Sequence, residues 1–418
     1  MFWGRKQSAP DHLLVLDIGT SYVKAVIFYA TDNQVQIVAR GLAKQTADSM
    51  RGGMIVDLPA VATTCNRAID DALGESDWQL TNVILGVNGQ LIEGVTTTVH
   101  YDRAHPEQPI EHTELKNIIY KIQQRSSEKL RTSLSEKFLD DHPDIELIHA
   151  GIVDVQLDGY VVENPLGFQG KRLTLTIFNA YIPLVYASIL QNLAKELGLI
   201  IASIAAQPYG LSKIFATPDS ETEAKSGVFI DVGGGTTDVV IVKNGTVEGM
   251  QSFAFGGDAF TRGLKRGLGL TWDRAEKMKL DYANSKLDKR NAKKASEALV
   301  EDASTWLSGV ELALAEFHEL KLLPPRIYLT GGSAPLPEIK KMLLTKAWAE
   351  RLPFAKKPFP LLVKPTDLLQ VSLENENTLV SQDIPPLALT KLILSLTAPD
   401  DVVTNTLQSI VRSMRVSK

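Results

Sequence analysis

Two segments of the chain place glycine and hydroxyl residues at the turn between two apolar strands. The first reads LLVLDIGTSYVKAVIF from Leu13, and the second reads GVFIDVGGGTTDVVIV from Gly227. Successive backbone N–H groups of a glycine-rich turn can point into one concavity that binds anions, and hydroxyl groups add donors for phosphate oxygens. The candidate phosphate ligands in the two turns are Gly19, Thr20, Ser21, Tyr22, Gly233, Gly234, Gly235, Thr236 and Thr237.

An aspartate precedes each turn at the end of a predicted buried strand, Asp17 in the first and Asp231 in the second. A lone carboxylate is costly to bury, so we expect a cation or its hydration shell to compensate. Magnesium keeps most of its waters and favours a few carboxylates together with phosphate oxygens, which suits two facing aspartates. Lys24, on the strand that leaves the first turn, is placed to reach a β- or γ-phosphate as a point charge. The pattern therefore predicts a site for ATP and Mg²⁺.

A third glycine turn follows another predicted strand, in the segment LTGGSAP from Leu329 to Pro335. Gly331 and Gly332 allow the backbone to lie against a nucleoside or an α-phosphate, and the helix predicted from about Pro337 favours an anion at its N-terminus. The alternative is that all three segments are ordinary turns. Three glycines in a row would weaken a hairpin that had no other role, which favours phosphate binding by the second turn. The occurrence of three such turns in one chain favours it further.

Composition places the chain among globular proteins with more than one domain. At 418 residues, 44% apolar and 22% charged, it is too long for a single ordinary core and too apolar for global disorder. The formal net charge of −5 disfavours a nucleic-acid partner, which would require a basic surface. The single cysteine, Cys65, excludes a disulfide framework within the chain and is predicted to be a buried apolar residue. With no signal peptide at MFWGRK and no apolar run of bilayer length, we expect a cytoplasmic location.

The recurrence of strand–Asp–x–Gly–strand at Leu13 and Val228 predicts two related halves that face each other across a cleft. Between them, two predicted strands flank a charged helix from about Glu111 to Lys137, and a further strand completes an inserted module. The predicted segments are 1–12 for an N-terminal tail, 13–81, 183–226 and 351–397 for the first half with its connection, 82–182 for the insertion, 227–257 and 325–350 for the second half, 258–324 for a helical subdomain and 398–418 for a C-terminal tail. A polar loop is expected at 217–226.

These three motifs, in this order, resemble the actin, sugar-kinase and heat-shock-chaperone ATPase superfamily. Within it the chain is most similar to the FtsA family of bacterial actin-like cell-division proteins. That narrower likeness depends on DGYVVENPLGFQGKRLTLTIFNAYIP from Asp158, similar to the end of the family's inserted strand–helix–strand–strand (SHS2) subdomain, and on FAFGGDAFTRGLKRGLGLTWDRAEKMK from Phe253. The resemblance spans about Leu13 to Leu396. It implies an α/β actin-like ATPase fold.

The resemblance also implies roles for individual residues. Asp17 and Asp231 would bind magnesium through water, and the two glycine turns with Lys24 would hold the phosphates. Glu276 and Lys279 match a helix that contacts ribose and base, although from their pattern alone they form a solvated helix face. Gly256 and Gly257 match a backbone contact near the phosphates, or they form a plain turn.

Two departures from the family pattern bear on function. Gln207 lies near the position where many members of the superfamily carry a carboxylate that orients the attacking water. Glutamine can hold a water but cannot take its proton, so we expect at most slow ATP hydrolysis; alternatively Gln207 is a satisfied polar group at a strand end. The region 281–323 is predicted to be almost entirely helical, whereas FtsA has strands there that contribute to docking a tubulin-like partner. Their absence counts against that partner and strengthens the alternative of the related PilM proteins of type IV pilus assembly.

The C-terminal residues Val403, Leu407, Ile410, Val411 and Met414 fall on one face of a predicted helix with basic residues among its polar positions. Such a helix can lie in a membrane interface, as in FtsA-like proteins, or pack against its own chain.

The working hypothesis is an FtsA-like protein at the inner face of the membrane. It self-associates, links the division apparatus to the membrane, and uses nucleotide mainly as a conformational ligand. The alternatives are a PilM-like protein with pilus assembly partners and a small-molecule kinase on the same fold. No catalytic carboxylate for a phosphoryl acceptor is evident in the sequence. A chaperone is disfavoured because no substrate domain follows the ATPase core.

Overall fold

The computed structural model describes residues 12–31, 34–90, 92–138, 144–212, 226–318, 320–368, 371–373, 379–392 and 402–416. The predicted N-terminal tail apart from residue 12, the predicted polar loop apart from residue 226, and residues 398–401 and 417–418 of the predicted C-terminal tail lie outside them. The strands are β1 (Leu13–Ile18), β2 (Tyr22–Ala30), β3 (Val35–Lys44), β4 (Met50–Arg51), β5 (Met54–Ile55), β6 (Asn82–Val87), β7 (Glu93–Asp102), β8 (Ile145–Leu157), β9 (Tyr160–Val161), β10 (Arg172–Pro183), β11 (Ile200–Ala206), β12 (Gly227–Val232), β13 (Thr237–Lys243), β14 (Thr246–Phe253), β15 (Arg326–Thr330), β16 (Phe359–Leu362) and β17 (Val371–Leu373).

Helices cover the sheets. They are α1 (Leu58–Leu73), α2 (His112–Phe138), α3 (Leu184–Glu196), α4 (Gln207–Ser212), α5 (Gly257–Leu268), α6 (Trp272–Ala283), α7 (Lys289–Ala315), α8 (Pro337–Leu343), α9 (Ile384–Thr390) and α10 (Val402–Val416). Several begin and end at residues that favour helix termini. The Asp57 carboxylate accepts the Ala60 N–H at the start of α1 (3.0 Å), and Gly269 ends α5 in the left-handed conformation.

Two sheets with the same internal order form the halves of the molecule. In the first, β1, β2 and β3 form an antiparallel meander, and β6 and β11 lie parallel beyond β1. In the second, β12, β13 and β14 form the meander, and β15 and β16 lie parallel beyond β12. β17 adds a strand beside β3. The repeated topology agrees with the two related halves predicted from the recurring motif.

The inserted segment extends the second sheet. Its strands follow the order β7–β10–β8–β9, and β7 pairs with the edge strand β14 at Val95 and Gly249. The Thr96 hydroxyl also donates to the Val247 carbonyl across this junction. The segment has its own apolar cluster, in which α2 and α10 cover one face of the strands. The opposite face packs with the first half, since the ring of Phe178 stacks on that of Tyr209 in α4 with centroids 4.9 Å apart.

The structure corrects two predicted boundaries. Residues 82–87 were assigned to the insertion, but they form β6, a buried parallel strand of the first sheet. The chain leaves that sheet after β6, at Asn88 and Gly89, and Gly89 has a φ of 95°. The segment 351–397 was assigned to the first half, but β16 pairs with β15 of the second. A four-residue strand that contains Pro360 is too short to show a period, and proline is tolerated there because β16 is an edge strand.

Candidate functional site: a cleft between two glycine hairpins

The two glycine hairpins have the same local geometry. The Gly19 N–H donates to the Tyr22 carbonyl (3.1 Å), and the Gly233 N–H donates to the Thr236 carbonyl (3.0 Å). A Cβ at Gly19 would lie 2.8 Å from the Tyr22 carbonyl oxygen, so this position accepts only glycine without a shift of the backbone. Both turns therefore present backbone N–H groups and hydroxyls between two buried strands.

The tips of the two hairpins approach each other across the cleft. A Cβ at Gly234 would collide with the Ser21 hydroxyl, and one at Gly235 would lie 2.9 Å from the Thr20 side chain. Ser21 Oγ also donates to Asp258 Oδ1 (3.3 Å) at the start of α5. The glycines of the second hairpin therefore permit the close approach of the first.

The first aspartate is buried in a polar network at the end of β1. Lys24 Nζ lies 2.7 Å from Asp17 Oδ2, and Asp17 Oδ1 accepts the amide of Gln207. Asn88 Nδ2 donates to Gln207 Oε1 (3.2 Å). Burial lowers the pKa of Lys24, but the charges of Asp17 and Asp231 outweigh burial and raise this pKa above its ordinary value. Lys24 is therefore a fixed positive charge in the cleft.

The second aspartate lies in a more negative environment. Asp231 is 3% exposed and accepts the Thr330 hydroxyl (3.1 Å). Burial, and then the charge of Asp238, raise the pKa of Asp231 to about 7. Asp238 is buried beside it, and burial raises its pKa to about 6. Asp238 Oδ1 accepts the Gly89 N–H from the other half (3.2 Å), whereas Oδ2 has no hydrogen-bond partner among the described residues. This side of the cleft favours a bound cation.

The third glycine turn and α6 complete the cleft. Gly331 has φ of 93°, and a Cβ there would collide with the Asp231 carboxylate. Lys279 is 5% exposed; its Nζ lies 2.8 Å from Glu276 Oε2 and donates to the Gly257 carbonyl (3.1 Å). Glu276 and Lys279 therefore line the cleft, and the interpretation of both as a solvated helix face is wrong.

Four predicted residues do not line the cleft, and their contacts show why. Gly256 and Gly257 support the second hairpin from behind, since the Gly257 N–H donates to the Gly233 carbonyl (2.8 Å). Gly235 faces Thr20 of the opposite hairpin. The hydroxyl of Thr237 donates to the Phe255 carbonyl (2.6 Å) and accepts the Trp306 indole N–H (3.0 Å). Successive side chains of an extended chain point to opposite sides, so Thr236, directly before β13, faces the cleft and Thr237 faces the core. The prediction that the Thr237 hydroxyl holds phosphate is therefore wrong.

The remaining predicted residues lie together around one cleft between the two halves. Those lining it are Asp17, Gly19, Thr20, Ser21, Tyr22, Lys24, Gln207, Asp231, Gly233, Gly234, Thr236, Glu276, Lys279, Gly331 and Gly332. The sequence did not predict five further lining residues, Asn88, Leu280, Ser333, Gln382 and Pro385. Asp238, which is buried beside Asp231 and does not itself line the cleft, was also not predicted, although it ends the GGGTTD motif.

The cleft residues fit a magnesium–nucleotide complex better than a bare metal ion. Among the described residues, no group of three or more His, Cys, Asp or Glu side chains could hold a metal by itself. Magnesium bound with phosphate requires only one or two protein carboxylates, and Asp17 and Asp231 both line the cleft. Two glycine turns with N–H and hydroxyl donors supply the complementary anion site.

None of the helices in the described part of the chain combines the length and the apolar character needed to span a bilayer.

Comparison with known proteins supports both the fold and the resemblance. A family model described as "Cell division protein FtsA" matches residues 228–362. The FtsA of Neisseria meningitidis is 29% identical over 294 residues, which are 66% of this chain and 63% of that protein. The FtsA of Enterococcus faecalis is 23% identical over 349 residues, which are 78% of this chain and 74% of that protein. The alignments thus span between three fifths and three quarters of the length of these two relatives.

Two solved structures share the fold over nearly the whole chain. A chain of a PilM-PilN type IV pilus biogenesis complex superposes with a TM-score of 0.58 at 16% identity and covers 96% of this chain and 98% of its own. The ethanolamine utilization protein EutJ of Carboxydothermus hydrogenoformans superposes with a TM-score of 0.50 at 11% identity and covers 92% and 90%. With the topology above, they confirm the predicted actin-like ATPase fold.

Proposed function

We propose that this chain is an FtsA-like cell-division protein that binds ATP with magnesium between its halves, and its sequence similarity to FtsA proteins together with its actin-like ATPase fold supports the proposal. It self-associates and links the division apparatus to the inner face of the cell membrane. The observation that carries the proposal is the convergence of two matching glycine hairpins, each preceded by a buried aspartate, on one cleft.

Each group of cleft residues has a role in this proposal. Asp17 and Asp231 hold magnesium through its waters, and the hairpin N–H groups and hydroxyls bind the phosphates together with Lys24. Glu276 and Lys279 contact the nucleoside from α6, and Gly331 and Gly332 let the backbone approach it. Bound magnesium would neutralise the phosphate charge between the two carboxylates. Gly256 and Gly257 act indirectly, because they hold the second hairpin in place.

Slow hydrolysis at most is expected from the surroundings of Gln207. Its amide donates to Asp17 and its carbonyl accepts from Asn88, so both ends of the side chain already have protein partners. An amide cannot remove a proton from water, and general-base assistance is therefore missing at this position. We propose that nucleotide acts mainly as a conformational ligand, with a different affinity for each arrangement of the two halves.

The inserted segment supports the assignment as an SHS2 subdomain. Its described elements run strand, helix, strand and strand, apart from the two-residue β9. It joins the second half through β14 and the first half through the stacking of Phe178 on Tyr209. A module packed against both halves can sense their relative position, which suits a protein that assembles.

A PilM-like role in pilus assembly is the second candidate. The described residues between 257 and 318 form α5, α6 and α7 and contain no strand. The strands of the FtsA subdomain that contributes to docking a tubulin-like partner therefore have no counterpart in this part of the chain. The partner is accordingly either a tubulin-like division protein or a pilus assembly protein, and binding assays with one purified protein of each kind distinguish them.

The test of the central proposal is a calorimetric titration of the full chain with ATP in the presence and absence of magnesium. Asp17→Ala and Asp231→Ala should each lower the magnesium-dependent affinity by about 100-fold or more, since a carboxylate of the cation site is lost. Asp77→Ala, at an exposed loop position, is the matched control. Unchanged affinity in both cleft variants would refute the proposal. Rapid phosphorylation of a small acceptor would instead favour a kinase.

A further inference from the structure

The C-terminal helix packs on the inserted module. Four residues of α10, namely Val403, Leu407, Ile410 and Val411, are at most 3% exposed and belong to the module's apolar cluster. Asn405 and Ser409 are exposed on the other side of the helix. At these four residues, the apolar face predicted from the sequence is therefore covered by the chain's own module.

The surface that receives α10 is formed by β8 and α2, and we call it the module face. Leu147 of β8 and Leu115 of α2 belong to the same cluster as the buried face of α10. At the start of α2, the ring Nε2 of His112 lies 3.3 Å from the hydroxyl of Thr406 in α10. Ile148, next to Leu147 on β8, points the other way and belongs to the large apolar cluster that the two halves share. The module face is thus a surface distinct from the one that fixes the module to the rest of the protein.

The module does not depend on α10 for all of its core. Ile118, Ile119 and Ile122 of α2 are buried in one cluster with Leu173 and Leu175 of β10, all within the inserted segment. The residues of α10, by contrast, reach the module from almost 300 positions away in sequence, as the separation of 294 between Thr406 and His112 shows. The helix is thus an added layer on a core that the inserted segment forms from its own residues.

We infer that the module face is a docking site for an amphipathic helix, and that α10 occupies it in place of a membrane surface. An interfacial helix buries its apolar face among lipid chains, so the same four side chains cannot serve both surfaces at once. Docking on the module therefore opposes membrane binding, and release of α10 uncovers apolar surface on the helix and on the module together. The inference depends on the proposed function only in that the competing surface is a membrane.

The inference is tested by sedimentation of the full chain with vesicles of phosphatidylglycerol and phosphatidylethanolamine. Leu147→Ala removes contacts of the module face and leaves α10 itself intact, with Ile145→Ala on the same face as a second variant should the first fold poorly. Ile148→Ala is the matched control, since it truncates the neighbouring residue on the opposite face of β8. Hydrogen exchange of the α10 amides, measured on the same samples, reports release of the helix directly.

We expect the Leu147→Ala variant to bind vesicles about tenfold more strongly and to exchange its α10 amides faster, with neither change in Ile148→Ala. Removal of residues 402–418 from Leu147→Ala should abolish the gain. If Leu147→Ala binds no better than the wild type while the truncation weakens wild-type binding, the helix reaches membranes without being held back. That outcome overturns the inference and leaves the proposed membrane link intact. If no version of the chain binds vesicles, both fail.

Discussion

Substitution of Asp231 by asparagine should stabilise the protein in the absence of nucleotide. Burial and the neighbouring Asp238 raise the pKa of Asp231 from its ordinary 3.8 to about 7. At about 1.36 kcal/mol for each pKa unit, a rise of about 3 units makes the ionised side chain cost about 4 kcal/mol of folding free energy at pH 8. Asparagine removes that charge and keeps an oxygen that can accept the Thr330 hydroxyl, so the gain should reach about 2–4 kcal/mol.

The sign of the pH dependence follows from the same pKa. Because the folded protein holds the proton more tightly than the unfolded chain, the contribution of Asp231 to stability is fully present below about pH 4 and is lost as the pH rises towards 7. The advantage of Asp231→Asn should therefore be large at pH 8 and small at pH 5. The assay is urea unfolding with EDTA at both values. Magnesium–ATP should stabilise the wild type much more than the variant.

The matched control is the equivalent residue of the other hairpin. Asp17 lies 2.7 Å from Lys24, so Asp17→Asn leaves a buried ammonium without its partner and should destabilise the protein by about 3–5 kcal/mol. Opposite signs for two aspartates in matching motifs are the specific expectation. A loss of stability in Asp231→Asn at pH 8, or the same gain at both pH values, would refute the reasoning.

Three further outcomes follow from contacts in and near the cleft. Thr237→Val leaves a buried indole N–H without its acceptor, so it should cost about 1–3 kcal/mol in urea unfolding at unchanged ATP affinity, whereas Thr236→Val should lower ATP affinity in calorimetry; the reverse pattern would contradict the assignment. Gly234→Ala places a methyl group against Ser21 and should weaken ATP binding about tenfold, which equal affinity would disprove. Burial raises the pKa of Cys65 to about 12, so a thiol reagent at pH 8 should modify it only after unfolding, and fast labelling of the native protein would count against this burial.

Most of the cleft could be predicted from the sequence because its parts are local. Each phosphate hairpin is a continuous segment in which the aspartate, the glycines and the hydroxyls lie within a few residues of one another. Such a motif fixes its own geometry once the flanking strands form. The recurrence of the motif then predicts the duplication of the fold, since each hairpin requires its own sheet.

The features that the sequence did not predict depend on distant contacts. Asn88 lines the cleft because β6 lies beside β1 in the first sheet. Gln382 also lines it, although it is more than 100 residues from the second hairpin in sequence. Thr237 was assigned to the wrong face because Thr236 and Thr237 have identical side chains. Only the alternation of side chains along the extended chain decides which of them faces the cleft. The partner of the apolar face of α10 was left open for a related reason: amphipathicity shows that a face is buried but not against what.

The contacts across the cleft explain how a nucleotide can act on conformation. Two polar contacts between the halves lie at the cleft, one between Ser21 and Asp258 and one between Gly89 and Asp238. All four groups lie in or beside the hairpins that would bind phosphate. A ligand that engages both hairpins therefore cannot bind without affecting the contacts that hold the halves together, and its affinity must differ between their arrangements. To move the population from about 1% to about 99% of one arrangement, that difference must reach about 10⁴-fold. Hydrolysis is not required for such a shift, which is why a cleft with Gln207 beside Asp17 can still operate as a switch.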